Sequence, residues 1–287
     1  MTLTFTDHLS PMHHGDHMHL LQKLHINIDR FARLPGVRRL VERSYRRAFV
    51  ANREQNLFHE VFDSFEAAAA AATAYGTVGY DNVASADLYL DMMRVVDYDY
   101  PAMFWLARSF QEGFRTVFDV GGSIGIKYYA FAKPLPVPND VRWTVEDVPA
   151  VAQRGRELAI ERGVSENLKF TDEFAQGDGS ELLFASGSLQ YLPHTLAEYL
   201  AEWKQRPRRI VINTTPIHVK EFFTVNSIGT AFCPYRVQNQ GNLVRSLGQL
   251  GYKLIDQWSN QGKELRLPLH PDLSLDHYRG FCFDRVK

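Results

Sequence analysis

An acid followed by small residues interrupts the middle of the chain: Asp119-Val120-Gly121-Gly122-Ser123-Ile124-Gly125. The run Thr116–Val120 reads as a strand, and Ile124 to Ala132 as a helix. A strand that breaks into glycines ahead of a helix is how α/β proteins bring backbone amides up to a nucleotide. The dinucleotide spacing Gly-x-Gly-x-x-Gly fails here, because Ser123 and Ile126 occupy its later glycine positions when counted from Gly121. The Gly-Lys-Ser/Thr of a phosphate loop is absent as well. What fits is acid-x-Gly-x-small-x-Gly on Asp119, Gly121, Ser123 and Gly125, with Gly122 as a further position free of side-chain bulk. A carboxylate at the strand's end repels phosphate and suits a ligand that carries an amine.

More polar residues gather where later apolar runs end. Glu146-Asp147 closes the next candidate strand, and Pro149 then stands at a favoured first-turn position of a helix. Asp172 follows the third strand. Ser186, Gly187, Ser188, Gln190 and Tyr191 follow the fourth, with His194 just beyond. After the fifth come Asn213, Thr214, Thr215 and His218, and further on Tyr235-Arg236. The histidines are candidate proton acceptors at the carboxyl ends of strands, where α/β sheets do their chemistry. Gln190 cannot serve as a base. Tyr191 and Arg236 are candidates to line a substrate pocket, and a guanidinium suits a carboxylate or phosphate.

These residues need a sheet to hold them. The chain divides near residue 114. Before it the pattern is helical: Leu20 to Phe31 at helical spacing, then the arginine-rich stretch from Val37, then Ser64 to Gly76 with its alanine run, then Asp87–Val95 and Ala102–Gln111. After Gly113, short apolar runs at Thr116–Val120, Val141–Val145, Leu168–Thr171, Leu182–Ala185 and Arg209–Asn213 alternate with helical segments. That alternation predicts a parallel sheet with helices on its faces. The segment between Tyr252–Trp258 and Tyr278–Phe283 is too short and Pro-rich for a crossover helix, which predicts an antiparallel pair at the end.

The glycine turn resembles the first motif of class I S-adenosylmethionine-dependent methyltransferases, with Ser123 in place of the usual middle glycine. The Asp147-Val148-Pro149 pattern is similar to the "DLP" of small-molecule O-methyltransferases. The segments SFEAAAAA, GYDN, DVGGSIG, SLQYLP, NTTP and YRGFCF together resemble the bacterial LIC-type methyltransferase family, from about Phe58 onward. The resemblance implies a Rossmann-like methyltransferase core over 114–287, with a mostly parallel seven-stranded sheet and an antiparallel C-terminal strand pair. A helical N-terminal cap would span 1–113. It implies S-adenosyl-L-methionine as cofactor. Asp119, Gly121, Gly122, Ser123 and Gly125 would pass beside its amino-acid end, Asp147 in preference to Glu146 would meet the ribose, and Asp172 the adenine. Ser186 and Gln190 would lie near the sulfonium. His218, His194, Tyr191 and Arg236 are the candidates for the acceptor side.

Composition bounds the rest. The 287 residues carry a formal net charge of −1, so no whole-chain field argues for nucleic acid or membrane. The two cysteines, Cys233 and Cys282, form no CxxC pair, and no apolar stretch reaches a membrane span of about 20 residues. The N-terminal histidines 8, 13, 14, 17 and 19 stand where a signal peptide needs an apolar core, and their spacing fits no standard zinc site. No metal and a cytoplasmic location are expected. Eight arginines between Arg30 and Arg53 face only Glu42, which reads as a solvated helix face. The N-terminal helices are candidates for a homodimer interface. The function expected is methyl transfer to a small molecule, with oxygen as the acceptor atom, on a sugar hydroxyl or a metabolite carboxylate. The alternatives are an N- or C-methyltransferase of a natural-product pathway and a binding or scaffold protein that kept the fold without catalysis.

Overall fold

The computed structural model describes residues 37–53, 56–82, 90 and 93–286. The histidine cluster, the helix expected over Leu20–Phe31 and most of that expected over Asp87–Val95 lie outside the described residues.

The first helix, α1 (Arg38–Ala51), buries Tyr45 and Phe49 and turns its arginines outward. Leu40, placed by its spacing on the buried face, is 66% exposed. β1 (Leu57–Phe62) follows, a strand within the stretch that reads as helical. The alanine run forms α2 (Phe65–Tyr75), capped as expected by Ser64, whose Oγ accepts the Ala67 N–H at 3.1 Å. α3 (Tyr100–Gln111) then leads into the main sheet.

That sheet begins with β2 (Thr116–Val120). It continues through α4 (Ile126–Phe131), β3 (Arg142–Glu146), α5 (Pro149–Glu161), β4 (Leu168–Thr171), β5 (Leu182–Ser186), α6 (Leu196–Ala201) and β6 (Arg209–Thr215). A small hairpin system follows: β7 (Ile217–His218), β8 (Phe222–Ser227) and β9 (Phe232–Asn239). α7 (Gln240–Gln249), β10 (Tyr252–Asn260) and β11 (Tyr278–Arg285) close the chain.

The seven-stranded order is β10-β11-β6-β5-β2-β3-β4, with β2 parallel to both β3 and β5. Only β11 runs against its neighbours, antiparallel to β6 and β10, so the C-terminal antiparallel pair is as expected. This is a Rossmann-like core. The chain winds outward from β2 to β4 and returns on the other side to β5. The crevice at the carboxyl ends of β2 and β5 is therefore the topological switch point. All seven residues of β6 are buried, as a central parallel strand demands.

The second sheet, β1-β8-β9-β7, draws on both sides of residue 113. β1 pairs antiparallel with β8, and β8 with β9. Tyr45, Phe49, Leu57, Ala72, Val225 and Phe232 form its core beneath α1 and α2. Phe58, Tyr235 and Val237 join it to Leu265, Leu273 and Tyr278 of the β10–β11 connection. The small sheet is thus packed over the same end of the main sheet that carries the switch point.

Gly280 of β11 lies under Trp258, and a Cβ there would stand 2.1 Å from the indole. That indole donates from Nε1 to Asn213 Oδ1 at 3.0 Å. Gly280→Ala is expected to cost about 1–3 kcal/mol of stability by overpacking, read as a lowered urea midpoint; an unchanged midpoint would show that Trp258 swings aside freely.

Candidate functional site

β2 delivers Asp119 to the switch point with 1% of its surface exposed. Trp143 of β3 donates from Nε1 to Asp119 Oδ2 at 3.0 Å, while Oδ1 is buried with no partner. Burial pushes the Asp119 carboxyl up to about 7. A Cβ on Gly122 would stand 2.6 Å from this carboxyl group, so only glycine lets the turn lie across it. Gly121, at φ +61°, has the same constraint from the other side: its Cβ would meet that of Ser188 at 2.3 Å. Ser123 holds φ +54° despite its side chain, a left-handed conformation that costs an L residue about 1–2 kcal/mol.

The turn is tied to β3 by two hydrogen bonds. Gly121 N–H donates to the Glu146 carbonyl at 2.8 Å, and Ser123 N–H to Asp147 Oδ2 at 2.8 Å. Asp147 Oδ1 also accepts from Val148 N–H at 2.8 Å, at the start of α5. Asp147 therefore joins the glycine turn to a helix N-terminus, which offsets part of the strain at Ser123. The Gly121 N–H also favours the ionised form of the half-buried Glu146 carboxyl. Burial pushes Glu146 up to about 7, with Asp147 and Asp172 adding repulsion, and pushes Asp147 up to about 6. Asp172 is exposed beyond the end of β4. Three carboxylates at two adjacent strand ends, with no cation bonded to them, form a site of strongly negative potential once ionised.

The loop after β5 closes the other wall. Ser188 Oγ donates to the Val120 carbonyl, and Gly187 N–H to that of Asn213 at 3.0 Å. Ser186 Oγ lies 3.5 Å from Thr214 Oγ1. Gln190 Nε2 donates to the Gly187 carbonyl at 2.7 Å, and its Oε1 is buried without a partner. Tyr191 donates its hydroxyl to Asn226 Oδ1 of β8 at 2.9 Å.

Arg236 of β9 is 6% exposed. Its Nη2 donates to the Pro193 carbonyl at 2.8 Å, and its Nε is buried without a partner. It makes no ion pair among the described residues, and burial pulls its pKa down. Its guanidinium lies over the Phe223 ring at 5.4 Å. His194 is exposed and its ring edge faces Tyr199 at 5.7 Å. His218 stands apart from this group. Its Nδ1 accepts from Lys220 N–H at 3.0 Å, and its Nε2 faces the Asp272 carbonyl at 3.1 Å, so both ring nitrogens are engaged by backbone.

Sequence reasoning named Ser188 and Asn213 but missed Trp143, and it missed Asp99, Trp258 and Asn260, which gather around Asn213. Among the described residues no group of acids, histidines and cysteines could hold a metal ion.

No protein-family model matches the sequence, and no curated protein matches it. Solved structures do. The 1,6-didemethyltoxoflavin-N1-methyltransferase of Burkholderia thailandensis, crystallised with 1,6-didemethyltoxoflavin and S-adenosylhomocysteine, is similar over 67% of this chain and 79% of its own, at 19% identity and a TM-score of 0.46. The magnesium protoporphyrin IX methyltransferase of Synechocystis PCC 6803, with bound S-adenosylhomocysteine, is similar over 72% and 89%, at 12% identity and 0.46. An O-methyltransferase family 2 protein of Planctomyces limnophilus DSM 3776, in complex with apigenin, is similar over 66% and 60%, at 16% identity and 0.41. With these TM-scores below 0.5, the fold is read from the strand order and register above.

The raised carboxyls fix a sign. A carboxyl group whose folded pKa exceeds its unfolded value binds its proton more tightly in the folded chain. Stability therefore falls as pH rises from the unfolded values of 3.8 and 4.5 and levels off above about 7. Between about pH 4 and 7 the stability of the unliganded protein is expected to drop by an amount on the order of a few kcal/mol, read as a falling melting temperature. Asp119→Asn is expected to flatten that slope. Calorimetric scans across the range check this; a melting temperature that rises with pH, or a slope unaltered by the substitution, would contradict it.

Proposed function

We propose that the chain is an S-adenosylmethionine-dependent methyltransferase of the LIC-type group, acting on a small molecule. The observation that carries this reading is Asp119 Oδ1, a buried acceptor without a donor, beneath a turn that excludes side chains at Gly121 and Gly122. A ligand amine satisfies that oxygen, and its positive charge restores the carboxylate to its ionised form. The residues present thus fit the amino-acid end of the cofactor. Asp147, in preference to Glu146, is assigned to the ribose hydroxyls; both carboxylates keep lone pairs beyond their backbone bonds. Asp172 is assigned to the adenine amino group, and Ser186 and Gln190 to the neighbourhood of the sulfonium.

When bound, the cofactor supplies an already activated methyl group, so what is asked of the protein is positioning. Residues 1–113, with β8 and β9, act as a cap that covers the acceptor and excludes water. Tyr191 and Arg236 line the acceptor pocket, and the unpaired guanidinium suits an acidic group on the substrate. Oxygen is the acceptor atom, on a sugar hydroxyl or a carboxylate. A hydroxyl acceptor must lose a proton, and His194, whose ring makes no hydrogen bond among the described residues, is assigned to take it. His218 stays a secondary candidate, because releasing either ring nitrogen breaks a backbone contact. We assign the protein to the cytoplasm and the N-terminal helices to a homodimer interface; no helix among the described residues is long and apolar enough to cross a membrane.

Titration calorimetry with S-adenosylhomocysteine tests the reading. One site per chain is expected, with affinity rising from about pH 6 to 8 as Asp119 ionises. Asp119→Ala is expected to weaken binding by about tenfold or more with an unchanged circular dichroism spectrum. Absence of binding by the wild-type protein would overturn it, as would wild-type affinity in the variant.

A further inference from the structure

A second charged cluster lies beside the site. Asp99, fully buried at the N-terminus of α3, accepts two hydrogen bonds from Lys127 Nζ, at 2.7 Å on each oxygen. Asn213 Nδ2 adds a third at 3.3 Å. Asn213 Oδ1 accepts in turn from Asn260 Nδ2 at 2.7 Å and from the Trp258 indole. Asp99 is therefore fully paired. Lys263, from the β10–β11 connection, packs its ammonium over the Tyr98 ring at 5.6 Å, on which Lys127 also lies at 5.9 Å. That ammonium makes no hydrogen bond and no ion pair among the described residues. Two cations share one carboxylate, and the one carboxylate is already held by Lys127. Burial, and then the Lys127 charge, pull the Lys263 pKa down, as expected of a desolvated cation lacking a counter-ion.

The place of this cluster matters. Lys127 is two residues past Gly125 of the glycine turn. Asn213 is bonded through its carbonyl to Gly187 of the loop after β5. The cluster thus connects the two loops that the methyltransferase reading gives to donor and acceptor.

We propose that Lys263, backed by the Lys127–Asp99 pair, is an anion subsite that binds an acidic group, carboxylate or phosphate, of the methyl acceptor. The proposal rests on the methyltransferase reading for the identity of the acceptor, but the anion site can be measured without it. Inorganic phosphate is titrated into wild-type protein saturated with S-adenosylhomocysteine, and into Lys263→Met and Lys263→Arg. The wild-type protein and the arginine variant are expected to bind phosphate, and the methionine variant to bind it about tenfold or more weakly. S-adenosylhomocysteine affinity should stay within about twofold in all three, which also reports an intact fold. Equal phosphate binding by Lys263→Met, or no binding by the wild-type protein, would overturn the subsite. A tenfold loss of S-adenosylhomocysteine affinity in Lys263→Met would overturn it too, by placing Lys263 on the cofactor's own carboxylate. If the wild-type protein binds no S-adenosylhomocysteine, the function fails while the phosphate titration, run without it, still decides the subsite.

Discussion

An incompletely paired carboxyl buried at the end of β2 constrains most of what surrounds it. Asp119 has one indole donor and one empty oxygen, in a place where burial opposes its charge. A group like that is costly to keep unless it is satisfied part of the time. The surrounding architecture is arranged to leave it reachable. Gly122 has no side chain to cover it, Gly121 lets the loop after β5 come close, and Trp143 is turned so that its N–H fixes the carboxyl's orientation. Asp147 then holds the turn in place by binding Ser123 N–H, and so keeps a left-handed serine where glycine would be easier.

The cap sheet depends on the same end of the molecule. β8 and β9 emerge after β6, and β8 pairs with β1 from far back in the chain. Through Tyr191 and Asn226 the small sheet is bonded to the loop after β5. Arg236 reaches back from β9 to the Pro193 carbonyl. A change in the small sheet is therefore felt at the wall of the crevice. Asn213 performs the corresponding task on the opposite side, gathering Asp99, Trp258 and Asn260 around the end of β6.

The main sheet was legible in the sequence because its strands are buried on both faces and read as short apolar runs between helices. Each of the five central strands and both C-terminal ones lies within a few residues of its expected span. The small sheet was not legible. β1 is six residues long and its partner lies more than 150 positions away, so no local periodicity announces it. The β8–β9 hairpin had a signal, a glycine at 229 between runs rich in aromatic and β-branched residues, but its strands are buried almost throughout, which only makes sense once β1 and the helices packed on it are in place. The acid and glycine positions of the site were legible because their chemistry is tied to local spacing. The histidines were not sorted by sequence: only the fold shows that His218 is held by backbone on both nitrogens while His194 is free. The Lys263 cluster draws on four separate segments, and nothing in any one of them marks it.

A crystal structure of the protein with S-adenosylhomocysteine tests the central claim most directly. The account predicts the ligand across the carboxyl ends of β2 and β3, with its amine about 2.7–3.2 Å from Asp119 Oδ1 and its ribose hydroxyls on the acids that end β3. A ligand bound elsewhere, or bound there with Asp119 Oδ1 still lacking a donor, would contradict it.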